Sequence, residues 1–430
     1  MAPPLASPAT LPGTGLRWPW LQRAATAALF LLPALALAVP VNLLPFALLF
    51  LASSVLGIDY LWRARRQAAG WAGLLAMVAV LVVVAGAFSA WQSDARLRDA
   101  GKVARLLAMP WAMLWVCALR PRMQALWWGA WAGLLATLAV AGGQVLAGQP
   151  RADGWTNAIV LADVALVLMV LLVFCRPSGR WSWVMTGMVA GSGVILLSGS
   201  RGVWPALFAL LLAMAGSVRW GSGRIRLALL GAMVLLATLL LLVVPGLRDH
   251  ARLTELHSDV QRLEQGDANS SAGARVELLG LAWGTFRAKP WTGVGIGQFD
   301  RAVQRLPACA QDVAGRESTC RLGHAHNDLA EWAATQGIPG VLLLLLVYGV
   351  PLAMFVRLYR RRGTPGFRGP AAAGMLLVVA YVLCGLTQSM FAHQLSAGVY
   401  AVLVGILAGW ALLEARVSHR LGVSGVCPGR

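Results

Sequence analysis

The chain is a succession of apolar runs separated by short polar breaks, and most of the runs are long enough to cross a bilayer as a helix. A spanning helix needs roughly 20 apolar residues, because its backbone must satisfy its own hydrogen bonds where no water reaches. By that measure about twelve spans are expected, near 21–39, 43–61, 70–90, 106–119, 124–146, 157–175, 181–198, 202–217, 226–245, 338–356, 371–390 and 396–413. Composition agrees, since 58% of the 430 residues are hydrophobic and only 12% are charged, where a soluble domain carries about 25%. Arg17 and Arg23 before the first run resemble the start of a secretory signal, yet no cleavage site follows and further such runs do. The expected fold is an all-α polytopic membrane protein with one large helical loop between its ninth and tenth transmembrane helices.

Charge gives the expected sidedness. Nearly all of the net +19 comes from arginine, Lys102 and Lys289 being the only lysines. One alternating set of connections holds Arg63, Arg65 and Arg66; Arg120 and Arg122; Arg176 and Arg180; Arg219, Arg224 and Arg226; and Arg357 to Arg362, with Arg416 and Arg420 in the tail. Cations gather on the cytoplasmic side, so both termini are expected there and the long loop is expected in the periplasm of a Gram-negative cell. The organisation read from this is a disordered tail at 1–20, spans one to nine in 21–245, the exported loop at 246–336, spans ten to twelve in 337–413 and a cytoplasmic tail at 414–430. No soluble basic domain is available to hold nucleic acid.

The exported loop departs from the apolar background. Charges and leucines recur at helical spacing over Leu247–Glu264, and after a polar break an amphipathic segment runs from Ala274 to Ala288, ended by Lys289-Pro290. Cys309 and Cys320 share the loop and can close a short disulfide in an oxidising compartment. The loop carries many cations, Arg275 and Lys289 among them, as expected of a surface that receives an anion. The run Gly293-Val-Gly-Ile-Gly297 lacks the βαβ setting of a dinucleotide site and fits a tight turn or an anion cradle better. Arg201 falls between two spans at their exported ends, either as an interfacial snorkelling arginine or as a phosphate ligand. Titratable groups crowd into Gly323-His324-Ala-His326-Asn327-Asp328, and a helix is expected after them up to a break at Gly337, Pro339 and Gly340. The histidines admit three readings: a metal pair without evident further ligands, structural interface residues, or a general base. Asp328 and Glu331 are both candidates to orient the base.

His326-Asn327, nine further residues, then Gly337-x-x-Gly340 resembles the signature of bacterial O-antigen ligases. Arg275-Val-Glu-Leu-Leu279 is similar to that family's Arg-x-x-x-Leu element, and Lys289–Phe299 and Ser200-Arg201-Gly202 resemble it too. The resemblance implies a membrane-embedded, GT-C-like glycosyltransferase that moves O-antigen polysaccharide from undecaprenyl diphosphate to lipid A–core in the inner membrane. It implies His326 as general base, Arg201, Arg275 and Lys289 on the donor diphosphate, His324 and Asn327 in support, and direct displacement with inversion. Neither a cofactor nor a metal is called for. O-antigen polymerases and O-linked protein oligosaccharyltransferases carry related loops, so the resemblance leaves the acceptor open. A transporter or lipid flippase would need a polar path, for which Asp59 and Asp163 are the only well-placed carboxylates.

Overall fold

A computed structural model of the protein describes residues 18–95, 97–217, 270–310, 317–361 and 367–424. Among the described residues all regular structure is helical. In chain order these helices are α1 (Pro19–Leu35), α2 (Leu44–Leu56), α3 (Ile58–Gln92), α4 (Leu97–Ala104), α5 (Ala108–Leu119), α6 (Met123–Leu146), α7 (Ala158–Phe174), α8 (Trp181–Ser198) and α9 (Trp204–Ser217). After the undescribed stretch come α10 (Ser271–Ala288), α11 (Phe299–Gln304), α12 (Pro307–Ala310), α13 (Glu317–Cys320), α14 (Asp328–Arg361), α15 (Pro370–Gly385) and α16 (Gln394–Ser424). Six described helical segments are long and apolar enough to cross a membrane, or seven if α2 and the start of α3 form one bent span. α7, α9 and α15 are shorter apolar helices. Every expected span except the ninth meets a helix, and the ninth, 226–245, lies outside the described residues, as do the segment 247–264 and residues 1–17 of the expected tail 1–20, whose last two residues open α1.

One boundary needs correcting. The expected second span, 43–61, is not straight, because the chain bends by 79° between Leu44–Leu56 and Ile58–Arg66. Beyond the bend, α3 runs unbroken through Arg63, Arg65 and Arg66, where the charge pattern predicts a connection. Arginine is a good helix former, so a cationic stretch need not break a helix.

Glycines set the closest helix contacts. On α6, Gly129 and Gly133 face α1 so tightly that an added Cβ would lie 2.2 Å from the Phe30 carbonyl oxygen and 2.1 Å from that of Pro33. On α16, Gly405 and Gly409 do the same against α5, where a Cβ on Gly405 would come 2.3 Å from the Met109 carbonyl oxygen. Both pairs have the small-xxx-small spacing that lets backbones approach within a bilayer, where dispersion between close surfaces replaces the hydrophobic effect. α7 is apolar on every face except at Asp163 and is buried along nearly its whole length, as expected of a helix at the centre of a bundle.

The helix ends place the site. α3, α8 and α15 finish, and α14 and α16 begin, at the end of the bundle that carries His324, His326 and Arg201. The arginine-bearing segments Arg63–Arg66, Arg176–Arg180 and Arg357–Arg361 lie at the other ends of α3, α8 and α14. The 25-residue span Ala68–Gln92 separates the two levels on α3, roughly 37 Å at about 1.5 Å per residue.

Candidate active site

The His-x-His turn is held by its neighbours in sequence. Asn327 caps α14, its Oδ1 accepting from the Ala330 amide at 2.9 Å, while its Nδ2 donates to the Leu386 carbonyl at 3.0 Å. Glu331, one turn into the helix, reaches back to accept from the Ala325 amide at 2.7 Å. Between these two anchors His326 adopts φ 51°, a left-handed conformation uncommon for a residue with a Cβ. Asp328 is buried and accepts from the Tyr348 hydroxyl at 2.7 Å. Neither carboxylate bonds the His326 ring, so the two residues weighed as its orienting partner hold the turn instead.

α14 breaks at Gly337 (φ 66°, ψ −152°), and the break has a hydrogen-bond logic. Pro339 has no amide to give Thr335, and the Ile338 amide turns away to the Pro290 carbonyl at 2.7 Å. The carbonyls of Ala334 and Thr335 are thereby freed, and the amides of Val294 and Gly295 take them, each at 2.9 Å. The glycine-rich loop after α10 is thus laced into the kink, and the Ile296 amide ties it onward to Ser89 of α3 at 3.0 Å. The Gly293–Gly297 run is a structural splice here, and three of its five residues are glycines with positive φ.

Three imidazoles meet at this end of the bundle. The rings of His324 and His326 lie 4.1 Å apart, and those of His324 and His393 lie 5.0 Å apart. His326 is only 7% exposed, and neither ring nitrogen has a hydrogen-bond partner of normal geometry, although Gln388 approaches it. Burial first, then the Arg275 charge, pushes the His326 pKa from 6.5 down to about 4. His393 falls to about 4 through burial and then Lys102. His324 is pushed down further, by burial and then by His326, His393, Lys102 and Arg275 in turn. All three rings are therefore neutral at ordinary pH. Among the described residues no group of three or more His, Cys, Asp or Glu side chains is arranged to hold a metal ion.

A cavity of about 550 Å³ opens beside them, walled by His324, Lys102, Glu331, Gln336, Arg301 and Arg321 among others. His324 lines it, and the His326 ring, 4.1 Å from that of His324, does not. Arg275, on α10, acts electrostatically on both rings. The turn of Arg201 packs against the same Leu386–Ser389 corner that Asn327 holds, since a Cβ on Gly202 would lie 2.3 Å from the Thr387 hydroxyl oxygen. Lys289 is not part of this group: it is exposed and lines a second cavity. Cys309 and Cys320 are joined in a disulfide with Cα atoms 5.5 Å apart, and Thr319, next to it, donates to Glu277 on the helix that carries Arg275.

Sequence reasoning missed His393 and Gln388 and gave Lys102 no role. A polar patch, Thr387-Gln388-Ser389 with His393, between two apolar runs was the available signal.

Fold and site together define a polytopic helical membrane protein with a histidine-bearing cavity, lined by cations and carboxylates alike, at one end of its bundle. Residues 186–345, a little over a third of the chain, match the family model described as O-antigen ligase, so this stretch is similar to the membrane enzymes of the O-antigen ligase/polymerase superfamily. The matched stretch runs from α8 into α14 and takes in Arg201, Arg275, Lys289, His324, His326 and Asn327. No curated protein matches the chain.

Proposed function

We propose that the chain is an O-antigen ligase of the bacterial inner membrane, with its site on the periplasmic face, both termini in the cytoplasm and no metal requirement. Its donor is O-antigen on undecaprenyl diphosphate, and its acceptor is a sugar hydroxyl of lipid A–core. The observation that carries this reading is a buried, neutral imidazole, His326, whose nitrogens have no hydrogen bond of normal geometry within the protein, Gln388 being the side chain that approaches, and which sits under the charge of Arg275. A buried polar group left unsatisfied calls for an explanation, and a substrate hydroxyl supplies one.

In the proposed reaction the acceptor oxygen attacks the anomeric carbon as its proton passes to His326, and the bond from that carbon to the diphosphate oxygen breaks. Charge grows on the leaving diphosphate, where Arg275 and Arg201 stabilise it. Direct displacement inverts the anomeric centre. Arg275 has two effects: it holds the free base neutral, and it is itself neutralised when the diphosphate arrives. Donor binding therefore raises the proton affinity of His326 at the moment when a base is needed. Lys289, across on the second cavity, is left out of this diphosphate group.

The pH profile follows with a definite sign. The active form is the neutral ring, so activity falls as pH drops through the His326 pKa. The acid limb of kcat/KM, which reports the free enzyme, should lie near the value of about 4, and that of kcat at higher pH because the donor is bound. An acid limb of kcat/KM at the ordinary imidazole pKa would contradict the burial argument.

The direct test is transfer by purified protein from lipid-linked O-antigen to lipid A–core, with Arg201→Ala and Arg275→Ala beside it. Each variant should lose about 100-fold in kcat, the effect of one missing charge-stabilising donor. Elongated lipid-linked polymer without ligation would favour a polymerase, and a glycosylated protein would favour the third acceptor class.

A further inference from the structure

The second cavity, about 640 Å³, abuts the first, and the two share Gln298 and Arg301. Its wall carries Lys289, Arg301 and Arg305 against one carboxylate among the described lining residues, Asp94. All three cations are exposed. Trp291 lines the same cavity and is 68% exposed, a large flat apolar face beside cations. Such a ring costs hydration unless a ligand covers it. Elsewhere the wall is amide and hydroxyl, from Ser89, Gln92 and Gln298. Between Lys289 and the helix of Arg301, the glycine-rich loop lines the cavity and is fixed by its hydrogen bonds to the α14 kink. The volume lies in the range that encloses a small ligand.

We propose that this second cavity binds a saccharide bearing an anionic group, phosphate or carboxylate, with Arg305 and Lys289 on the anion and Trp291 against the sugar ring. Arginine suits such an anion because its planar fork offers paired donors, and lysine adds a point charge. Arg301, shared between the cavities, joins this cradle to the wall of the histidine cavity. Naming the bound saccharide as part of the acceptor rests on the transfer reading above. The binding itself does not.

Glucose 6-phosphate, glucose and inorganic phosphate serve as probes of the full chain in nanodiscs of neutral lipid, with saturation-transfer NMR on the sugars and competition by phosphate. Glucose 6-phosphate should bind at least about tenfold more tightly than glucose, the scale of one charge-assisted hydrogen bond. Arg305→Gln should remove that advantage, and Trp291→Ala should weaken the sugar phosphate without changing phosphate competition. The proposal is overturned if glucose binds equally well, if Arg305→Gln changes nothing, or if inorganic phosphate alone matches the sugar phosphate. Adding phosphatidylglycerol to the nanodisc tests a lipid headgroup, and displacement of the sugar phosphate by it would also overturn the assignment. His326→Ala should leave all of this binding intact, so failure here and failure of the transfer reading are told apart.

Discussion

His326→Ala should abolish polymer transfer to lipid A–core while leaving the protein inserted and folded. General-base catalysis is worth about 10²- to 10⁴-fold, and the loss should fall in that range and appear in kcat. Folding should survive because the ring makes no hydrogen bond of normal geometry that its removal would orphan. Backbone geometry complicates the alanine, since φ 51° at this position suits few side chains. Asparagine tolerates the left-handed region and keeps a polar group, but it cannot accept a proton at working pH. His326→Asn should therefore be as inactive as alanine and at least as stable by thermal unfolding. His324→Ala gives the contrast. His324 lines the cavity, with its pKa pushed even lower than that of His326, which makes it the poorer base. Its loss should weaken substrate binding and spare part of kcat. If His324→Ala were the inactive variant and His326→Asn kept full transfer, the base would have to be reassigned to the ring at the cavity wall.

How far the site could be read from sequence depended on whether its parts are local. The Asn327 cap, the turn of His324 and His326, and the break at Gly337 all follow from neighbours within a dozen residues, and local rules for caps, glycine and proline reach that far. His393 and Gln388 join the same site from more than 50 residues away, through the packing of α15 and α16 on α14. No periodicity in either segment announces it. Lys102 enters similarly, carried by the short α4 against the start of α16. Lys289 follows Arg275 closely in the sequence, yet the structure places it on the second cavity. The spans were legible because a bilayer imposes a length. The bend after α2 was not, because apolar residues on either side of Gly57 look alike whether the helix is straight or turned.

Gly337→Val should prevent the protein from accumulating in the membrane. At φ 66° and ψ −152° the backbone is in a region that essentially only glycine enters, at a cost of about 1–3 kcal/mol for another residue. Space forbids it independently: a Cβ there would lie 2.3 Å from the Pro290 carbonyl oxygen and 2.8 Å from the Trp291 carbonyl carbon. That neighbour is backbone and cannot swing aside as a flexible side chain would. Relieving the clash means withdrawing the 290–296 loop, which breaks its bonds to Ala334, Thr335 and Ile338, each worth about 1 kcal/mol net and more if left buried and unmade. The summed penalty approaches the whole stability of a typical domain. Gly349→Ala on the same helix is the matched control. An added Cβ there meets nothing within 4 Å, and alanine is the better helix former by about 1 kcal/mol. Expression and thermal unfolding of the two variants side by side decide the matter. Normal accumulation of Gly337→Val, or equal damage from both, would mean that the kink does not hold the loop against the histidine turn, and the geometry of the site would then need another anchor.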